Sequence, residues 1–509
     1  MERKRVAIVG SGVSGISALW TLRNAGYEVH LFEAADRLGG HTNTVRWKHN
    51  DLETPVDTGF IVLNTATYPN FIQFLNAVNV RTDASEMTFG ISRDAGAFEW
   101  SGTSLGALFA QSSNAFKLSF WRMIFDIVRF NQFALDLLSI PPGSAAAKEA
   151  NQESIGQYLE KHGYSDAFRD DYLIPMTACV WSTGADKCAL EFPALTLVRF
   201  MWNHHLLTTV SERPPWLTVH GGSKNYIDAV MRECKDVHLH LSTQIESIQR
   251  KDGRVRLGTG GKAAAKEEFF DSVILACHGD QARSLLGSSA TLEESDILDA
   301  FETTPNIAYL HSDLSLMPKR RTAWSAWNYL TTTSPTPSAP NPSGTLQTVS
   351  LTYNMNILQH IPVSKFDNVL VTLNPEIPPD PALTQAQFEY KHPLYNARMV
   401  AAQEELHRIQ GKNGVWYAGA WTGYGFHEDG FSSGMKVGLQ LGGSVPWEVQ
   451  DAKFSRGLKP DLNWKDWAVR TVVVVIQLWI MVLERLVGSK KQSLYSNGDG
   501  SIDGKTKAT

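Results

Sequence analysis

Two short apolar runs lie near the start of the chain, Val6-Ala7-Ile8-Val9 and Val29-His30-Leu31-Phe32. Each is bounded by glycine or charge, and runs of this length predict buried strands. Between them the apolar positions recur at helical spacing, which predicts a helix over 16–25 ending at Gly26. The alternation returns later. Helices are predicted over 70–78 and 225–234, and strands over 237–241, 244–248 and 273–277, the last ending at His278. Asp252-Gly253 predicts a hairpin turn. A buried strand, Val415 to Ala420, precedes a helix predicted from Phe431 to about Gly442. Strands alternating with helices predict an α/β fold with a parallel sheet.

The blocks between follow another pattern. Phe120, Ile124, Ile127, Val128, Asn131 and Leu135 recur every three to four residues, a helical stripe that reads as a core face or as the wall of an apolar tunnel. Ile140-Pro141-Pro142-Gly143-Ser144 breaks it. The dense apolar stretch Ile174 to Ser182 reads as packed core or as a wall near a cofactor. Ile307 to His311 predicts a strand, and the polar, proline-broken Thr331 to Pro342 an exposed insertion. The pattern divides the chain into one discontinuous unit (1–84, 215–300 and 400–445), a second unit interleaved with it (85–214 and 301–399), a segment with an apolar helix (446–488) and a disordered tail (489–509).

The apolar helix is Trp467 to Val487. Its uncharged part, Thr471 to Leu483, has 13 residues, short of the roughly 20 that span a bilayer. Arg470 and Arg485 can snorkel and lengthen it. It is expected to associate with a membrane, with docking on the globular body as the other reading.

Composition narrows the partners. With 43% apolar and 19% charged residues, a net charge of −5 and no long basic block, nucleic acid is not an expected ligand. Four scattered cysteines (Cys179, Cys188, Cys234, Cys277) without a C-x-x-C pair argue against a disulfide framework and fit an intracellular, reducing compartment. The basic start leads into only Val6 to Val9 before the glycines and is not read as a secretory signal. His238 and His240 share one side of a strand, but no further ligands accompany them, so no metal is expected.

The chemistry sits in Gly10-Ser11-Gly12-Val13-Ser14-Gly15, which ends the first strand. In G-x-G-x-x-G the first glycine allows a tight turn, the second a close backbone approach to a pyrophosphate, and the third close helix–sheet packing. The following helix offers free N–H groups and its positive dipole end to phosphate. Glu33 lies 18 residues beyond Gly15, near the roughly 20 expected for the acid that binds ribose hydroxyls. Arg37-Leu38-Gly39-Gly40 adds a second glycine turn and a cation.

Up to this point the chain resembles the two-dinucleotide-binding flavoproteins and, among them, the flavin-containing amine oxidase superfamily. Over residues 1 to about 445 it looks like a subgroup of predicted NAD/FAD-binding proteins similar to the N-terminal half of plant cyclopropane fatty acid synthases. The stretches that carry this are Arg37 to Thr42, Asp57 to Pro69, Phe98-Glu99-Trp100, Ile174 to Ser182, Trp324 to Tyr329, Leu351 to Gln359, His392-Pro393 and Gly425 to Gly430. The resemblance implies a Rossmann-like FAD domain interleaved with an α+β substrate domain, non-covalent FAD, and a link to lipid modification. The cofactor residues expected are Gly10, Ser11, Gly12, Ser14, Gly15, Glu33, Arg37, Gly39, Gly40, His41, Thr42, Ile245, Gly419, Asp429 and Gly430. His427 and Glu428, at the start of the last helix, are the candidate acid/base groups, with His427 expected to titrate near neutrality. The expected function is hydride transfer from an apolar, acyl-lipid substrate to flavin. An amine oxidase with an aromatic cage (Trp181, Trp327, Tyr329, Trp421), a double-bond isomerase and a membrane-bound accessory subunit remain open.

Overall fold

The computed structural model describes residues 3–181, 190–207, 214–260, 268–334, 345–346 and 350–496. Cys188, Ser182, most of the expected insertion and the tail from 497 lie outside the described residues.

Five parallel strands form the first sheet, in the order His238–His240, Glu28–Phe32, Arg5–Val9, Ser272–Leu275 and Val415–Tyr417. Ile8 lies between Leu31 and Ile274. Side chains alternate across a strand, and the first strand shows the consequence. Val6 and Ile8 enter one buried cluster, with Ile16, Leu19, Phe71 and Tyr226; Ala7 and Val9 enter the other.

Two helix starts differ from expectation. The first helix runs Val13–Leu22, with Gly12 as its N-cap. Gly10 turns the chain with φ +100°, straight into the helix, so Val13 to Gly15 form the first turn rather than a loop before it. The helix expected from Phe431 runs His427–Gln440. Asp429 Oδ2 accepts the Phe426 N–H at 2.9 Å, and this local cap moves the start four residues upstream. Helices Pro69–Ala77 and Lys224–Glu233 and the hairpin Ile245–Lys251 with Arg254–Thr259 match expectation.

The second large sheet has seven strands: Thr384–Pro393, Thr303–His311, Leu370–Leu373, Ser350–Asn354, Trp327–Thr331, Phe89–Arg93 and Phe98–Ser101. All neighbours are antiparallel except Trp327–Thr331 beside Phe89–Arg93. Helix Leu118–Phe133 buries Phe120, Ile127 and Asn131, and helix Ile174–Trp181 buries Ile174 and Ala178. Among the described residues neither helix lines the cavity described below. The stripe of Leu118–Phe133 is packed core, not tunnel wall; Ile174 and Ala178 are core, and the side chains from Cys179 to Ser182 lie outside the described residues.

The C-terminal helix, Trp464–Ser496, lies against the body along a narrow seam. Buried Arg470 donates to Asp136 Oδ1 at 2.8 Å and to the Gln132 carbonyl, and Arg129 donates to Gln477 Oε1 at 3.2 Å. Val472, Val475, Leu478, Trp479 and Leu483 face outward.

Candidate flavin site

A cavity of about 1050 Å³ opens where the parallel strands end. Gly10, Glu33, Cys277 and Gly419 each follow the C-terminal end of one of its strands, and all four line it. Ligands of open α/β sheets bind at this edge.

The glycine loop forms its floor. A Cβ added at Gly12 would meet nothing within 4 Å, so this residue faces open space. A Cβ on Gly15 would lie 2.0 Å from the Gly10 carbonyl oxygen, which fixes its role as close packing. The second glycine turn approaches the first: a Cβ on Gly40 would lie 3.3 Å from Gly12 Cα. Arg37 donates to the Gly40 carbonyl at 2.9 Å and so braces this turn. Glu33 Oε2 accepts from Ser11 N–H at 3.0 Å and Ser11 Oγ at 2.6 Å, tying strand end to loop.

Of the residues expected to hold FAD, Gly10, Ser11, Gly12, Ser14, Glu33, Arg37, Gly39, Gly40, His41, Ile245 and Gly419 line this cavity. Gly15, Thr42, Asp429 and Gly430 do not. Thr42 is buried and bonds the Tyr226 hydroxyl. Asp429 caps its own helix. Gly430, expected to offer a free N–H, donates it to the Phe426 carbonyl at 3.1 Å inside the helix. Its missing Cβ serves packing, since one would meet Val13 Cγ1 at 2.6 Å.

The two acid/base candidates separate. His427 lines the cavity, stacked on Phe60 with ring centroids 3.6 Å apart, and its Nε2 lies 3.0 Å from the Tyr226 hydroxyl. Burial pushes its pKa down to about 3, so the ring is neutral at neutral pH rather than titrating there. Glu428 is buried away from the cavity. Its carboxylate accepts the Asn70 and Phe71 N–H groups, the Asn70 side-chain amide and the Ser432 hydroxyl. Burial raises its pKa to about 7. It caps helix Pro69–Ala77 and does not line the cavity.

His41 is among the residues expected at the cofactor; nothing in the sequence signals that His278 and His392 gather with it beside the glycine turns. His41 stacks on Tyr390 with centroids 5.0 Å apart, and lies 5.1 Å from His392 and 6.1 Å from His278. All four line the cavity. Burial lowers the pKa of all three histidines, His392 to about 4. The Nε2 of His41 is buried without a hydrogen-bond partner.

Phe60, Ile61, Val62, Met87, Phe200, Leu206, Trp216 and Phe426 supply an apolar wall. Phe200 stacks on Phe426 at 5.0 Å, and His204, its pKa lowered by burial to about 4, packs on both. Of the expected aromatic cage, Trp327 and Trp421 line the cavity and Tyr329 does not. The Trp421 indole donates to the Cys277 carbonyl, so it is held in the wall. The side chain of Trp181 lies outside the described residues.

Among the described residues one cluster has metal-ligand spacing, Glu28, His30 and His238, on the edge of the parallel sheet. Arg5 bonds Glu28 at 3.1 Å and sits 3.0 Å from His30 Nε2. This internal cation already neutralises the carboxylate, so the cluster reads as an ion-paired edge.

Comparison with known proteins fits this geometry. The model of the flavin-containing amine oxidoreductase family matches residues 13–437. The chain belongs to that family. Its members are FAD-dependent oxidoreductases, and the open face of Gly12, the paired glycine turns and the unpartnered His41 Nε2 fit a dinucleotide. The chain is 51% identical over 43 residues to an L-amino-acid oxidase of Pseudechis australis, 8% of each chain. It is 24% identical over 283 residues to the 15-cis-phytoene desaturase of Solanum lycopersicum, 52% of this chain and 47% of that one. It thus spans less than a tenth of the oxidase it matches and about half of the desaturase. Among solved structures, a fatty acid isomerase from P. acnes shares the fold with TM-score 0.58 and 13% identity, over 86% of this chain and 98% of that one. Putrescine oxidase does so with TM-score 0.57 and 16% identity, over 86% and 99%.

Proposed function

We propose that this family member oxidises an apolar, acyl-lipid substrate held against the flavin by the Phe60–Phe200–Phe426 wall. The observation that carries this is the character of the wall. Its ionisable residues, His204 and the His427 stacked on Phe60, are kept neutral by burial, and among the described residues no carboxylate belongs to the wall. An ammonium ion entering there would lose its hydration without a counter-charge, at a cost of several kcal/mol. An alkyl chain would gain roughly 0.8 kcal/mol per buried methylene.

FAD, when bound, supplies a two-electron acceptor for hydride. The chain's part is binding and exclusion of water. Neutral His427, fixed between Phe60 and the Tyr226 hydroxyl, presents an uncharged polar edge inside an apolar site. The Thr42–Tyr226–His427 hydrogen bonds hold its tautomer. Glu428 holds the two helices behind it. The segregation of strands supports a cofactor unit of residues 1–84, 215–300 and 400–445 and a substrate unit of 85–214 and 301–399.

The outward apolar face of the C-terminal helix supports the same reading, because an apolar substrate is delivered from a membrane. Trp464–Leu483 is long and apolar enough to cross one by length and composition. The likeness to plant cyclopropane fatty acid synthases rests on the sequence stretches quoted above; none of the relatives just described is one.

Anaerobic titration of the yellow protein with free fatty acids, acyl phospholipids and primary amines tests the proposal. Bleaching of the visible flavin band by a lipid is expected. Bleaching by amines alone would replace the reading with amine oxidation. No bleaching, with shifted double bonds in the recovered lipid, would replace it with isomerisation; no change in lipid or flavin would leave an accessory role.

A further inference from the structure

We propose that His41, with His278 and His392 around it, forms a proton-taking clamp on the pyrophosphate of FAD, so that cofactor retention weakens as pH rises. The inference rests on FAD as cofactor and is independent of the substrate reading.

The geometry places the cluster at the pyrophosphate. His41 follows Gly40, whose Cα side abuts Gly12, the glycine with open space before it. His278 follows the strand that abuts Gly10, where an added Cβ would lie 2.6 Å from the Ala276 carbonyl oxygen. The two imidazoles therefore flank the loop to which the G-x-G-x-x-G logic assigns the two phosphates. His392 closes the group from the other large sheet, its Nδ1 2.8 Å from the Asn306 amide nitrogen. His41 lines the cavity, and its Nε2 is buried without a hydrogen-bond partner; the Lys391 backbone lies against the same ring and favours its charged form. A buried polar atom with nothing to bond is costly, and a ligand that accepts from it removes that cost.

The charges around His41 come from every element packed on it. Arg37 lies on its own loop, where its guanidinium is taken up by backbone carbonyls. His278 and Asp280 lie at the start of helix Gly279–Leu286, and Glu389, Tyr390, Lys391 and His392 on strand Thr384–Pro393. His427 contributes from the last helix. Without a bound anion, burial and the neighbouring imidazoles keep His41 neutral. A pyrophosphate carries two negative charges into this space. It favours the protonated imidazole, which then donates a charge-assisted bond. Binding thus takes up a proton. The sign follows: where the free protein is neutral and the complex protonated, the dissociation constant rises by up to about tenfold per pH unit.

Equilibrium binding of FAD, read by quenching of its fluorescence from pH 5.5 to 8.5, tests this on the full chain. Weakening toward high pH is expected in the parent. In His41→Gln the slope should shrink, with the two proteins converging at the alkaline end. A merely structural role for His41 would instead lower affinity equally at every pH, and that result overturns the proposal. A readout that needs no variant is calorimetry of FAD binding in two buffers of different ionisation enthalpy. Uptake approaching one proton per FAD at pH 7 is expected; zero uptake, or no slope in the parent, contradicts the clamp.

Discussion

The helix Val13–Leu22 and the C-terminal helix Trp464–Ser496 are both rich in apolar residues, yet they turn them in opposite directions. In the first, every residue from Ser14 to Leu22 is buried. It crosses helix His427–Gln440 so closely that Gly430, Gly434 and Gly438, four apart on one stripe, face Val13, Ser14, Ala18 and Thr21. The C-terminal helix does the reverse. It sends Arg470, Gln477 and, of its apolar residues, Val473 to the body and leaves Trp467, Val472, Leu478 and Trp479, the last 66% exposed, on the outside. Apolar content therefore does not tell where a helix goes. What decides is whether small residues on a facing element let backbones approach, or whether polar residues find partners along a narrow seam.

That contrast can be broken from either side. The largest effect is expected at Gly434, where an added Cβ would sit 2.0 Å from the Ser14 carbonyl oxygen. Alanine is favoured over glycine in a helix by about 1 kcal/mol, but overpacking costs roughly 1–3 kcal/mol and occasionally more, and a 2.0 Å approach to a backbone atom that cannot swing aside belongs at the upper end, so the clash wins. Gly434→Ala should lower the melting temperature and the flavin content together. An unchanged or raised melting temperature would show that the helices do not cross this tightly.

A smaller effect is expected at Arg470. Arg470→Leu removes its bonds to Asp136 and the Gln132 carbonyl, a loss of roughly 1–3 kcal/mol of docking. Hydrogen exchange over 464–480 should accelerate while flavin content stays constant. Unchanged protection would mean that the outward apolar face, not the polar seam, holds the helix in place.

The same distinction explains what was legible in the sequence. Strand ends, both glycine turns and Glu33 were readable because backbone geometry writes them into local spacing. Eleven of the expected cofactor residues line the cavity for that reason. The helix starts were misjudged because apolar periodicity marks only the first buried side chain. The caps that set the starts, Gly12 and the Asp429 carboxylate on Phe426 N–H, are polar and local. Glu428 was misread for another reason. Of its four donors, three come from Asn70 and Phe71, more than 350 positions away, and one from Ser432, and only the fold shows that it caps a helix. The same holds for the wall, where Phe60, Phe200 and Phe426 converge from distant stretches, and for the His41, His278 and His392 group.

The central claim is that the cavity at the end of the parallel sheet is the FAD site and that Gly12 is its open floor. The measurement that tests it most directly is the flavin content and melting curve of Gly12→Val. The added side chain meets no protein atom at its Cβ, and Gly12 has φ −61°, which any residue adopts. The protein should therefore fold, with a melting temperature matching that of the FAD-free parent, and be colourless. A yellow Gly12→Val protein with parental FAD stoichiometry would contradict the account.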